Sequence, residues 1–211
     1  MEKPDKRENI LKAAEKLFCD LGYEGTSTRQ IAKDSGANMA MINYYFGSKE
    51  GVFMEIMTEK IQHFNTQLKS IDQNQSSGME KLLMVIEGYA NRIMTHRSLH
   101  KMMHRELSFP HRPEMFSKIK EVMANNVSVI EHIIEEGIEK GQFRKVDTRM
   151  LIATVMGTIS NVAVSPSKIT SGSGLDIENK KDRKIITERM ILHVKELVTL
   201  YLTPTNDTQK D

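Results

Sequence analysis

The side chains best suited to chemistry cluster late in the first half of the chain. His96, His100 and His104 recur every four residues, with Glu106 and His111 close behind. Imidazoles one helical turn apart can chelate a transition metal. A helix cap at Ser98 would break the helix after His96, leaving only His100 and His104 on one face, and two ligands make a poor site. Lys101, Arg105 and Arg112 repel a cation from the same stretch. No metal is expected, and the histidines read as surface or pocket groups. Catalysis has less support still. There is no Gly-rich phosphate loop and no nucleophile elbow, and Glu135 and Glu136 point off one helix in different directions. The one cysteine, Cys19, lies among Leu17, Phe18 and Leu21 and reads as an inert buried thiol, with no disulfide or multi-cysteine metal site to join. The expectation is a protein that is not an enzyme and needs no cofactor.

Recognition chemistry is better served, between residues 27 and 49. A first helix, about 5–21, carries the stripe Ile10, Ala14, Leu17, Phe18 and Leu21, and Gly22 caps it. Ser27 with Gln30 forms a capping box for a short helix over 28–35. Gly36 ends that helix, Asn38 caps another over 39–45, and Ser48 caps a long helix from 49 to about 70. Two short helices joined by a three-residue turn make a helix-turn-helix, whose second helix can enter a major groove. Ile31, Ala32, Ala37, Ile42 and Phe46 pack inward. Arg29, Met39, Ala40, Met41, Asn43 and Tyr44 are left as outward candidates. Charge adds nothing to this. Lys/Arg at 3, 6, 7, 12, 16, 29, 33 and 49 are cancelled by Asp/Glu at 2, 5, 8, 15, 20, 24, 34 and 50.

Residues 22–53, GYEGTSTRQIAKDSGANMAMINYYFGSKEGVF, resemble the N-terminal DNA-binding domain of the TetR family of bacterial transcription regulators. The resemblance rests on Gly22-Tyr23, Thr26 to Thr28, Ile31-Ala32, Gly36, Tyr45-Phe46 and Ser48-Lys49-Glu50, with a weaker echo in the turn Gly137 to Arg144. It implies a homodimer on double-stranded operator DNA of near-twofold symmetry, and a C-terminal domain that dimerises and holds a small-molecule effector. It also implies contacts residue by residue. Thr28 and Lys49 match phosphate-binding positions. Arg29 matches a base-reading position, where it can pair bidentately with guanine. Met39, Ala40 and Met41 match base-facing positions beyond the Asn38 cap, and Asn43, Tyr44 and Tyr45 match groove and phosphate contacts. Two positions depart from the family pattern. Position 39 often carries a polar or cationic side chain and is Met here, suited to a thymine methyl. Position 43 is most often Tyr and is Asn here, suited to adenine.

The rest of the chain also reads as helix: about 79–96, 99–108, 114–140, 148–164 and 181–202, with a mobile loop over 165–179 and a frayed tail over 203–211. The expected fold is all-α, about nine helices, with a three-helix DNA-binding domain over 1–48 and an effector-binding and dimerisation bundle over 49–211. Methionine supplies 15 of 211 residues, many of them in that bundle, which suits an adaptable apolar cavity. Tyr89, Met94, His100, Met103, His104 and Met123 are the candidate lining, with Asn91 and Glu106 as further polar groups. Val155, Ile159 and Val162, with Met190, Val194, Leu197 and Tyr201, form stripes that a four-helix dimer interface would bury. The charged start, Met1 to Glu8, lacks the apolar stretch of a signal peptide. No run approaches the roughly 20 apolar residues of a membrane span, so a cytoplasmic protein with no membrane partner is expected. The function these features imply is a regulator, most simply a repressor released from its operator by its effector. The alternative is a helical small-molecule-binding or protein-interaction module that has lost DNA binding.

Overall fold

The computed structural model describes residues 5–108 and 113–204. Among them are ten helices and no strand: α1 (Lys6–Gly25), α2 (Thr28–Ser35), α3 (Met39–Phe46), α4 (Lys49–Asp72), α5 (Gly78–Thr95), α6 (Arg97–Ser108), α7 (Pro113–Glu139), α8 (Thr148–Val164), α9 (Ser167–Thr170) and α10 (Lys180–Leu202). His111, Arg112 and the tail from residue 205 lie outside the described residues. No helix among the described residues is long and apolar enough to cross a membrane.

Two local expectations are corrected. Ser98 is not a cap: α5 ends with His96 as its C-cap and α6 begins at Arg97. A long-range tie sets this boundary. Arg97, only 8% exposed, donates from Nε to the Ala163 carbonyl at 2.7 Å and pairs with Glu178. The stretch 165–179 is not structureless either. Pro166 O accepts from Ile169 N and Thr170 N to close the single turn of α9, and Ile177 anchors the return by burying its side chain.

Packing divides the chain into two compact units. Each is assembled from two stretches: Met1–Phe64 with Ser98–Ala124, and Asn65–Arg97 with Asn125–Asp211. None of the three breaks between them falls at the 48/49 boundary read from the sequence, because α4 continues the first unit's core through Val52, Phe53, Ile56, Met57 and Ile61. That core also takes Ile10, Ala14 and Phe18 from α1, Ile31 from α2, Ile42 from α3, Leu99 and Met102 from α6 and Ile119 from α7. At its centre Phe18 stacks on Tyr23 with ring centroids 5.6 Å apart, and Phe53 stands edge-on to both. Such aromatic pairs add about 0.5–1.5 kcal/mol beyond the area they bury.

The second unit is a bundle in which α5 packs on both α8 and α10. Leu82, Ile86 and Ala90 of α5 are buried, as are Ile130, Ile133 and Ile134 of α7, Ile152, Ile159 and Ala163 of α8, and Ile186, Met190, Val194 and Val198 of α10. Each of the larger of these side chains, Leu, Ile, Val or Met, contributes about 1.5–3 kcal/mol when taken out of water, before chain entropy is counted. Lys81 is buried with them. Its ammonium donates to the Asp72 carbonyl at 2.6 Å and lies 3.6 Å from a Glu136 oxygen, so its charge is compensated.

Candidate nucleic-acid interface

The reading surface is built from short-range signals. Ser27 caps α2 by accepting from Gln30 N, while the Gln30 side chain returns to Ser27 N at 2.8 Å. Gly36 ends α2 at φ 62°, a left-handed conformation in which an L side chain is strained. Asn38 then starts α3 by accepting from Met41 N at 2.9 Å. This uses its side-chain oxygen and leaves its amide N–H groups for another partner.

Within α3 only Ile42 is fully buried. Met41 is half-buried and packs on the first unit's core, as does Phe46. Met39, Ala40, Asn43, Tyr44 and Tyr45 face outward, with Tyr44 83% exposed. The Tyr44 and Tyr45 rings meet edge to face at 5.2 Å, which keeps two hydroxyl-bearing arms together on the surface. Arg29 and Asn38 are exposed, and Thr28 is half-buried at the start of α2. The arrangement offers amide, cationic, thioether and phenolic groups on one short, exposed stretch. Groups of these types read base edges and hold phosphates. Sequence reasoning missed Lys6, whose ammonium donates to the Gly36 carbonyl at 3.2 Å in the turn between α2 and α3. Nothing at residue 6 marks it, because its partner lies thirty residues away.

Lys49 differs from the expectation. Its ammonium is turned inward, donating to the carbonyls of Tyr23 and Thr26 at 2.8 Å each and lying 4.2 Å from the centre of the Tyr23 ring. α1 is broken by a kink at Gly22 (φ 78°, ψ 173°), and Thr26 beyond it is extended, so the cation serves the carbonyls of the turn that follows the kink. The same turn is approached from α6. The Tyr23 backbone N–H faces Glu106 Oε1 at 3.4 Å, and Arg105 lies against Gly22, whose φ of 78° and absent side chain let the chain bend there. Glu106 therefore faces this turn.

The six expected effector residues divide between the units. Tyr89 and Met94 belong to the second; His100, Met103, His104 and Met123 belong to the first. Met103 and Met123 pack against the first unit's core, and His104 is exposed. Tyr89 alone of the six lines an apolar void of about 20 Å³ among α5, α7 and α8, with Leu82, Ile86, Ile134, Leu151, Val155 and Met156 among its neighbours. Burial pushes its phenol up to about 12, so it stays neutral. Its aliphatic neighbours follow the ordinary core period, and no residue type among them signals a cavity. Among the described residues, no three His, Cys, Asp or Glu side chains come together as a metal site.

The expected interface stripes are turned partly inward. Ile159, Met190 and Val194 are buried within the second unit's own bundle, and Val155 lines its void. Val162 is half-buried. Leu197 and Tyr201 are exposed, and with Met150, Thr154 and Thr158 they border an open, largely apolar groove of about 380 Å³ between α8 and α10.

A three-helix head that anchors its last short helix through one fully buried side chain and turns the rest outward is a helix-turn-helix fold, the kind that docks in a DNA major groove. Residues 10–56 match the family model for bacterial regulatory proteins of the tetR family, and residues 53–184 match that for the C-terminal region of YsiA-like proteins. The chain belongs to the TetR family. It is 25% identical over 165 residues to the fatty acid metabolism regulator protein of Bacillus subtilis, covering 78% of this chain and 84% of the relative. It is 31% identical over 147 residues to the HTH-type transcriptional repressor NicS of Pseudomonas putida, covering 65% and 66%. The crystal structure of the transcriptional regulator FadR from Bacillus subtilis in complex with stearoyl-CoA superposes with a TM-score of 0.74 at 23% identity, over 90% of this chain and 96% of that one. At that identity the likeness shows the fold.

Proposed function

We propose that the protein is a transcriptional repressor that binds a near-palindromic operator as a homodimer and releases it when a small acyl-bearing effector enters the second unit. The observation that carries the DNA half is the outward face of α3 and the start of α2. Arg29 reads a guanine, Asn43 an adenine and Met39 a thymine methyl. Thr28, Asn38, Tyr44 and Tyr45 hold phosphate and sugar, Ala40 and Met41 pack beside the bases, and Lys6 adds a backbone contact. In this division residues 1–48 read DNA and 49–211 sense and dimerise, through the exposed edge of α8 and α10 around Met150, Leu197 and Tyr201.

The effector half is supported by the wholly apolar lining of the void beside Tyr89 and by two relatives, one named for fatty acid metabolism and one solved with stearoyl-CoA. The void of about 20 Å³ has room for about one water, so an acyl chain must part α5, α7 and α8 to enter. That movement is carried along α4, which runs from one unit into the other.

The test is selection of bound duplexes from a random-sequence pool at stated salt. Enrichment of an inverted repeat with half-sites about 34–36 Å apart is expected. Arg29→Ala is expected to relax the choice at one position in each half-site, at a cost of about 1–3 kcal/mol. Acyl-CoA thioesters of graded chain length, added to the complex, are expected to release the DNA. A folded dimer that enriches no sequence, with or without these thioesters, would remove the DNA half. Release by none of them would remove the effector half.

A further inference from the structure

We propose that Lys49 is a positioning residue of the reading head and makes no phosphate contact of its own. This rests on the DNA-binding reading above. To reach a phosphate, the ammonium would have to abandon two carbonyls, those of Tyr23 and Thr26, to which it donates at 2.8 Å each. Both residues are at most 3% exposed, so no water replaces the lost ammonium, and the Tyr23 carbonyl would keep only the longer bond from Thr26 N at 3.3 Å. A buried carbonyl stripped of a charged donor is expensive to leave unmade. Leaving would also vacate the face of the Tyr23 ring, which is itself locked between Phe18 and Phe53.

The place that Lys49 holds gives it leverage. Thr26 is the last residue before the Ser27 cap of α2, and its hydroxyl donates back to the Gly22 carbonyl at 2.8 Å. The N–H of Tyr23 is met from α6 by Glu106. The bend between α1 and α2 is thus gripped from α4 at its carbonyls and from α6 at an N–H. Its orientation sets where Thr28 and Arg29 enter the DNA. Loss of the grip tilts the start of α2 while leaving the number of neutralised phosphates unchanged.

Three roles are distinguishable in full-length protein using two probes, the duplex recovered by selection and an unrelated duplex of equal length. Affinities are measured between about 50 and 200 mM salt, a range over which counterion release is resolved. For Lys49→Met, which keeps the apolar stem, the positioning role predicts a loss of about tenfold or more on the selected duplex. It also predicts a smaller loss on the unrelated duplex and an unchanged salt slope. Lys49→Arg, which retains donors for both carbonyls, restores most of the affinity. A slope shallower by about 0.9 for each contact removed, with equal loss on both duplexes, would mean a phosphate contact and overturn the proposal. Equal loss with an unchanged slope would mean only that less protein is folded, which also overturns it, as does no loss at all. Should wild-type protein bind neither duplex specifically, the DNA reading itself fails, and this assignment with it.

Discussion

His100 carries a proton equilibrium that the fold distorts. Burial, with a smaller push from His104 one turn on, lowers its pKa to about 4 from an ordinary value of 6.5. Between those two values the unfolded chain binds a proton that the folded chain refuses, so stability falls as pH falls through this window and is unaffected by this group above it. The expected outcome is a melting temperature that drops from pH 7 to pH 5, and a shallower drop in His100→Gln, read by thermal unfolding at fixed salt. An unchanged profile in the variant would show that other groups set the acid limit. Single residues also show where local reasoning stops. Arg29, Asn43 and Tyr44 were legible as outward groups because helical spacing alone places them opposite Ile31 and Ile42. Lys49 was not legible, because the carbonyls that capture it lie 26 and 23 residues back along the chain.

At the scale of elements, α2, α3 and α8 run as the sequence predicts, within a residue at either end, because their caps are local: Ser27, Asn38 and Asp147 each accept from a backbone N–H three residues on. The start of α6 at Arg97 departs from the sequence expectation because Arg97 is fixed by Ala163 and Glu178, which no local signal reveals. Helix faces are legible only in part. A period of three to four says that α8 and α10 each bury a stripe. It does not say whether the partner belongs to the same chain. Ile159, Met190 and Val194 face their own bundle, while Met150, Leu197 and Tyr201 are left exposed around a groove. Leu197→Glu is accordingly expected to leave the monomer's helix content intact and shift a dimer towards monomer in sedimentation at micromolar concentration. A charge at Ile159, which is fully buried, would instead destabilise the bundle itself through the cost of its desolvation. An unshifted Leu197→Glu dimer would place the interface elsewhere.

For the whole molecule, effector and operator must oppose each other by the same factor in both directions, since each shifts one equilibrium. The small void beside Tyr89 makes this testable without altering the head. Val155 and Met156 line it from α8. Val155→Phe is expected to fill the space at a cost of about 1–3 kcal/mol in stability. The variant should keep its affinity for the selected duplex and lose release by acyl thioesters. Retained release would locate the effector elsewhere in the bundle.

The two-stretch construction of the first unit has a consequence for how the protein is born. The core around Phe18 and Phe53 is completed by Leu99, Met102 and Ile119, which follow an intervening segment of the other unit. At about 5–20 residues per second, a ribosome that has just released Phe64 needs several more seconds to deliver those last core residues. During that delay the nascent head exposes the apolar surface meant for α6 and α7, a natural site for a chaperone to hold. A ribosome stalled before Ser98 would display a head that is spelled out completely yet has no finished core to close around.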